Sequence, residues 1–383
     1  MLILSKCIFI FCCILFAIIV VIFNFNNFLR PLGKFSIGYF DIQLVDNNRL
    51  EKNSNIDKNR ELMVRFWYPA DNVNLKAENN YDYDAMASEI EFFSNYCSYK
   101  IPKLFFWGLM STKTYSIPNK KISKKRDPYP VIILSNAWGT MAQHYTWLAE
   151  ELASQGFIVV GINHPYIASI VRFPDGRIIK SLTGIKRKEG KIVYNQWKKE
   201  QMETMVQDDK FLLNKLTELN SDFSCPLYKK MDLNSIGIIG HSFAGSLALL
   251  MCLNDERVKV GIALDSAVRN NNMLVPFNKP FLHLLSEKSH VWKGSDGKED
   301  YEILMKYSKI PGMKMKINIF KDIGHSVFSD LPLLLDQTLL TKLLSYFINF
   351  DLDTSIYSAR KNIINAKNLI IPFFTDNLVK KIN

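Results

Sequence analysis

Apolar residues follow two rhythms along this chain. Across residues 35–45 and 62–68 they alternate with polar ones, the period of a half-buried strand, and a stretch rich in Asn and Asp joins the two. An antiparallel pair opening a sheet is predicted, with Pro69 ending its second strand. From Tyr129 onward come short apolar runs at 129–135, 157–162, 235–240, 258–264, 280–285 and 313–320, each short enough to be a strand. Between the first two lies an amphipathic helical pattern ending near Gln155 and Gly156. Strand, helix and strand with short joints form a parallel crossover unit.

The remaining segments are less regular. Residues 71–128 carry apolar patches at Phe92-Phe93 and at 104–107 without a sustained period, the pattern of a surface excursion bearing short helices. Residues 167–191 read as a basic, hairpin-like insertion, and 194–219 as a long helix with apolar positions at Met202, Val206, Leu213, Leu216 and Leu219. A helix over 331–350 could cover one face of the sheet, and 351–383 is a tail of uncertain structure. There is no internal repeat. The expectation is an α/β fold with a mostly parallel central sheet, helices on both faces, and a single catalytic domain over residues 35–350.

The N-terminus stands apart. Behind Lys6, residues 7–23 are 17 uncharged and mostly apolar positions, short for a bilayer span and long for the core of a signal peptide. No small-x-small cleavage site follows, so residues 1–30 are read as an uncleaved membrane anchor with an exported domain behind it. Secretion after cleavage is the alternative. The flanking charges, Lys6 against Arg30 and Lys34, orient the segment only weakly.

Charge adds little to the fold but limits the partners. The net charge of +11, from 48 basic and 37 acidic residues, is spread over short clusters such as Lys124-Lys125-Arg126. Those clusters are solvated surface or an attraction to an anionic membrane face. They lack interleaved aromatics and belong to no nucleic-acid-binding module, so nucleic acid is not expected. Of six cysteines, Cys7, Cys12 and Cys13 lie in the apolar run, while Cys97, Cys225 and Cys252 are too scattered for a metal site or a disulfide framework. An oxidising compartment would permit one bridge, Cys97 to Cys225. Oligomeric state is not readable.

The chemistry concentrates in Gly240-His-Ser-Phe-Ala-Gly245, where an apolar run meets a tight turn and continues as the helical pattern Ser246-Leu-Ala-Leu-Leu-Met-Cys252. A serine at the tip of a strand-turn-helix is held in a strained backbone conformation with its hydroxyl projecting, and its neighbours must be small. Ser242 is the candidate nucleophile. A serine hydroxyl needs a histidine to take its proton and a carboxylate to fix that histidine, in the chain order serine, acid, histidine. His283, His290 and His325 follow it. His283 is mid-strand and reads as core, and His290 lies in a polar loop and reads as surface. His325, in a loop directly after the last strand, is the candidate base. Asp265 and Glu287 each end a strand after the elbow, and pattern alone does not separate them. For the oxyanion hole, two backbone N–H groups are expected, from Phe243 and from Trp138 in the loop Asn136-Ala-Trp-Gly139.

Taken in order, the block from residues 129 to 160, the elbow at 240–245 and Ile323-Gly-His325 resemble the platelet-activating-factor acetylhydrolases and their bacterial lipase-like relatives among the α/β-hydrolases, over about residues 35–345. The resemblance implies that the acid comes from the strand directly after the elbow helix. Asp265, 23 residues past Ser242, then takes that role and Glu287 becomes the alternative. It further implies a serine esterase without metal or organic cofactor, acting on a lipid ester with a short or oxidised acyl chain. A general carboxylesterase or an inactive membrane-surface binding module are the rival readings. Two departures stand out: Asn136-Ala137 where the family commonly has His-Gly, and Ala244 where it has Gly.

Overall fold

The computed structural model describes residues 28–54, 56–71, 76–96, 112–267, 278–335 and 359–379. The expected N-terminal anchor therefore lies almost wholly outside the described residues. Among those described, no helix is long and apolar enough to cross a membrane.

A nine-stranded sheet forms the centre. Its strands are β1 (Ser36–Leu50), β2 (Asn59–Ala70), β3 (Ser116–Pro118), β4 (Tyr129–Ser135), β5 (Ile158–Asn163), β6 (Met231–His241), β7 (Val258–Leu264), β8 (Phe281–Ser286) and β9 (Met315–Phe320). They lie side by side in the order β9-β8-β7-β6-β4-β5-β2-β1-β3. β1 and β2 form the expected antiparallel hairpin, with Leu44 opposite Leu62, and β2 also runs antiparallel to β5. Every pairing from β5 through β9 is parallel. β2 continues through Pro69, past its expected end. Its pairing with β5 stops at Trp67, so a residue without an N–H is tolerated there.

Alternation along the strands divides the core in two. Ile132, Leu134 and Ile239 point to one face, while Val131, Ile133, Ile236 and Ile238 point to the other. The helices are α1 (Tyr83–Tyr96), α2 (Thr146–Ser154), α3 (Thr183–Lys188), α4 (Lys191–Ser221), α5 (Phe243–Asn254), α6 (Gly294–Tyr307), α7 (Leu331–Leu335) and α8 (Ala359–Leu378). α2 and α8 supply the first face, and α4, α5 and α6 the second.

Three expectations are corrected. The helix before β5 is not amphipathic: all nine residues of α2 are buried. Its polar side is covered because Glu150 accepts the N–H groups of Tyr115 and Ser116, and Glu151 pairs with Lys367 of α8 at 2.7 Å. Second, the long helix buries Trp197, Met205, Asp208 and Asp209 as well as Leu213 and Leu216, so its inward stripe is more polar than the apolar periodicity implied. Asp208 there binds Arg60 at 2.6 Å, Arg49 at 2.9 Å and His164 at 2.8 Å, which ties the β1–β2 hairpin to α4. Burial alone would raise the Asp208 carboxyl, but Arg60 and His164 outweigh it and hold the group ionised.

Third, the stretch read as a tail holds α8, whose Ile363, Ile370 and Phe374 are fully buried. β6 admits it through Gly237, where a Cβ would stand 2.8 Å from the Phe374 ring. Of the helix expected over 331–350, α7 is seen and the rest lies outside the described residues, as does Cys97. Phe374→Ala should lower the unfolding free energy by about 3–5 kcal/mol, as for other buried aromatic truncations. A change under 1 kcal/mol in urea unfolding would return this segment to the status of an accessory tail.

Candidate active site

β6 ends at His241, α5 begins at Phe243, and the chain reverses at Ser242 with φ 56° and ψ −122°. A non-glycine residue in this region stores strain that the surroundings must hold in place. The Ser242 N–H donates to the carbonyl of Leu264 on β7 at 2.8 Å, and its own carbonyl accepts from Gly245 N–H at 2.9 Å. A Cβ on Gly240 would sit 2.0 Å from the carbonyl oxygen of Ala244, so only glycine fits before the turn. Ala244 itself is fully buried and its methyl is accommodated; a Cβ on Gly245 would press within 2.4 Å of Ser266.

Asp265 follows β7 directly and is fully buried. Its Oδ2 lies 2.6 Å from Nδ1 of His325, while Oδ1 accepts from the Ser286 N–H and from Nε1 of Trp292, both at 2.9 Å. Burial works to raise this carboxyl. The bonds from His325, Ser289 and Ser286 prevail, so it sits below the ordinary carboxylate range. With Nδ1 of His325 bonded to a carboxylate, that nitrogen carries the proton and Nε2 is the basic one.

Glu287, the alternative acid, is not part of this arrangement. It is exposed beyond the end of β8 and accepts the Asp322 N–H at 3.0 Å. Its side chain leaves the sheet on the outside, whereas the acid that reaches His325 comes one strand earlier. His283 is buried in β8, as expected of a core residue. His290 is exposed, as expected, yet its ring lies 4.7 Å from that of His325 and lines the same cavity.

That cavity, of about 440 Å³, is lined by Ser242, Asp265 and His325 together with Trp138 and Phe243. Backbone donors around it can be counted off. Ala137 N–H goes to the Tyr145 hydroxyl at 3.1 Å, Gly139 N–H to the carbonyl of Ile167, and Thr140 N–H to that of Ala137. Among the described residues the N–H groups of Trp138 and Phe243 have no protein acceptor, and Phe243 opens a helix whose first N–H groups are unpaired by construction. The two rings meet edge to face at 4.6 Å.

Four residues that sequence reasoning did not single out hold this geometry. His241 accepts from the Tyr145 hydroxyl on Nδ1 at 2.8 Å and faces the His325 carbonyl with Nε2 at 3.1 Å. A carbonyl only accepts, so Nε2 carries the proton and His241 is neutral, in keeping with burial holding it well below the usual histidine range. Tyr145 thereby links the loop after β4 to the elbow. Ser289 and Trp292, the other two, fix Asp265 from the turn after β8. His241 stood inside the motif, but nothing in its spacing announced a partner 96 residues away.

Comparison with known proteins identifies the family. A family profile described as platelet-activating factor acetylhydrolase, isoform II, matches residues 29–369. The chain belongs to this family. It is 29% identical over 181 residues to platelet-activating factor acetylhydrolase of Cavia porcellus, covering 43% of this chain and 40% of that one. A probable 1-alkyl-2-acetylglycerophosphocholine esterase of Arthroderma benhamiae is 28% identical over 145 residues, 36% of this chain and 32% of the relative. The matched stretches thus span about a third to two-fifths of these relatives' length. Among solved structures, a ferulic acid esterase from Streptomyces cinnamoneus superposes with a TM-score of 0.69 at 23% identity, over 92% of this chain and 93% of that one. The shared fold is the α/β-hydrolase fold. No cluster of three or more metal-ligating side chains occurs among the described residues.

Trp292→Phe deletes one of the two bonds to Oδ1 of Asp265 and leaves the Ser286 N–H as its remaining donor, at a cost of about 1.5–3 kcal/mol at neutral pH, the range for a hydrogen bond to a charged group. The folded Asp265 pKa is depressed, so its contribution is present above the ordinary value of 3.8 and is lost as pH falls through the folded value. The difference between variant and wild type in denaturant unfolding should therefore shrink below about pH 4. An undiminished difference at low pH would mean that Trp292 acts by packing alone.

Proposed function

We propose that this protein is a serine ester hydrolase in which Ser242 is the nucleophile, His325 the general base and Asp265 the residue that orients it. The observation that carries the reading is the bond from buried Asp265 to Nδ1 of His325 in the cavity where the strained Ser242 turn stands. Nε2 of His325 takes the proton as Ser242 Oγ attacks the ester carbonyl, and Asp265 stabilises the imidazolium that results. The carbonyl oxygen, gaining negative charge, is met by the N–H groups of Phe243 and Trp138, each worth about 3 kcal/mol of transition-state stabilisation in comparable sites. His325 then protonates the departing alcohol, and the same nitrogen activates a water that releases the acid. None of these steps calls for a metal or cofactor.

The substrate we infer is a phospholipid ester of the platelet-activating-factor type, with a short or oxidised acyl chain. Family membership supports it, and so does the cavity's mouth. α3 has no buried residue, and Ile185 and Ile192 are 58% and 86% exposed beside Lys186, Arg187, Lys188 and Lys191. Arg187, Tyr194 and Lys198 of the same region line the cavity. Exposed isoleucines ringed by cations suit an anionic lipid surface, to which residues 1–30 as an anchor would hold the domain.

A fluorophosphonate probe should label the wild-type protein at Ser242 and leave Ser242→Ala unlabelled. In turnover of a short-chain ester, Asp265→Asn should lose about four orders of magnitude, as loss of the orienting acid does elsewhere, while Glu287→Gln stays near wild type. Near-normal turnover by Asp265→Asn overturns the assignment, and a folded protein without labelling favours a binding module. For the lipid reading, the double variant Ile185→Asp, Ile192→Asp should reduce hydrolysis of an acetyl phospholipid in anionic vesicles by about tenfold or more, given the apolar area removed from the interface. Soluble nitrophenyl acetate serves as the reference; an equal loss on both substrates would argue against interfacial docking.

A further inference from the structure

One wall of the cavity comes from outside the strand ends, from α1 and the 3-10 turn Ala142–Tyr145. Ser88, Glu89, His144 and Leu331 line it. Glu89 is only 7% exposed. Its carboxylate has no hydrogen bond among the described residues; the nearest ionisable partner, Nε2 of His144, stands 3.9 Å away.

That histidine cannot supply a charge. Nδ1 of His144 accepts the Met141 N–H at 3.2 Å, which places the ring's proton on Nε2, where Ser88 Oγ at 2.8 Å and the Ala85 carbonyl at 3.1 Å already engage it. Burial lowers its pKa to about 4. The second buried acid nearby, Asp330, is occupied: it accepts the Thr146 and Trp147 N–H groups at 2.8 and 3.0 Å and the Tyr81 hydroxyl at 3.1 Å. Tyr145, the remaining titratable group on this wall, is spent on His241 and Ala137. No Lys or Arg forms an ion pair with Glu89 among the described residues. Burial, with a smaller contribution from Asp330, raises the Glu89 pKa to about 8.

An isolated carboxyl at this depth is costly unless something completes it, and a cation is what would do so. The cavity's basic side chains, Arg187 and Lys198, belong to α3 and α4, and its other carboxylate, Asp265, stands at the end of β7. We propose that Glu89 is a recognition carboxylate for a positively charged end of the substrate, an alkylammonium or quaternary ammonium group seated between α1 and the Ala142–Tyr145 turn. The proposal rests on the ester-hydrolase reading for its occupant, but its binding test does not. A cation brought against the carboxyl favours the ionised form, so binding releases a proton.

Two measurements at pH 8 test it, on the full chain and on Glu89→Gln, an isosteric change at a group that is largely uncharged below that pH. Calorimetric titration with tetramethylammonium should show saturable binding to the wild type that weakens at least tenfold in the variant. In turnover, acetylcholine and its carbon isostere 3,3-dimethylbutyl acetate differ by one charge at equal size. The wild-type ratio of kcat/KM should favour the cation by about tenfold and fall to about one in Glu89→Gln, as expected for one desolvated ionic contact. Absence of tetramethylammonium binding, or binding and a preference that survive in Glu89→Gln, overturns the proposal. If tetramethylammonium binds through Glu89 but neither ester turns over, the subsite stands and the esterase reading falls.

Discussion

Everything at the centre of this molecule follows from how closely one strand approaches the helix after it. With 2.0 Å between the Ala244 carbonyl oxygen and the place a Gly240 side chain would begin, β6 and α5 leave no room for any residue but glycine at 240. That closeness forces Ser242 to φ 56°, and the bond from its N–H to Leu264 holds it there. Leu264 is also the residue before Asp265, so one hydrogen bond sets the separation of the candidate nucleophile from the strand that carries the candidate acid. The positive φ of Asp265, 45°, continues the same logic: the chain turns sharply at the end of β7 to send a carboxylate towards His325.

A second layer of polar bonds keeps the loops around that turn in register. The loop after β4 is held by Asn136, whose side-chain amide donates to the carbonyls of Ala137 and Thr140 at 3.1 and 2.7 Å. From Ala137 the bonds run through Tyr145 to His241 and on to the main chain of His325. The loop that carries Trp138, the elbow and the histidine loop are thus joined through one neutral imidazole. Here the Asn136 side chain supplies an amide that clamps the loop, while Ala137 contributes only its backbone N–H, which begins the chain of bonds.

What could be read from the sequence was whatever depends on local periodicity or on a short motif. Strands β4, β5 and β8 are apolar runs buried throughout because both faces of a parallel sheet are covered, a signal that survives without any partner, whereas the edge strand β9 leaves Lys316, Asn318 and Ile319 exposed. The elbow is visible because the demand for small residues is local. The choice between Asp265 and Glu287 was not available to pattern, since both end strands at the same edge; it needed the resemblance, and in three dimensions it comes down to which side chain stays under the loops. Helix α2 defeated the periodicity because its polar residues meet Tyr115, Ser116 and Lys367, partners brought from distant parts of the chain. Phe374 and Gly237, 137 positions apart in the sequence, could declare their fit to one another only in the folded state.

The cavity divides its labour by the origin of its walls. The candidate bond-making groups come from strand ends and the turns that follow them, positions anchored by the sheet. Of the charged groups along the lining, Lys198 stands on α4, whereas Glu89 and Arg187 come from the excursion between β2 and β4 and from the insertion after β5. Segments of that kind carry little of the core and can change without unseating the elbow, so substrate preference is free to vary while the reaction is held constant. The buried uncharged state of Glu89 fits that division: a group that cost the fold its ionisation energy is tolerable on a wall whose purpose is to meet a ligand, and would be out of place among the strand ends. In the bond-making part of the cavity the buried carboxylate, Asp265, has its donors supplied by the protein, because there the charge must be present before any substrate arrives.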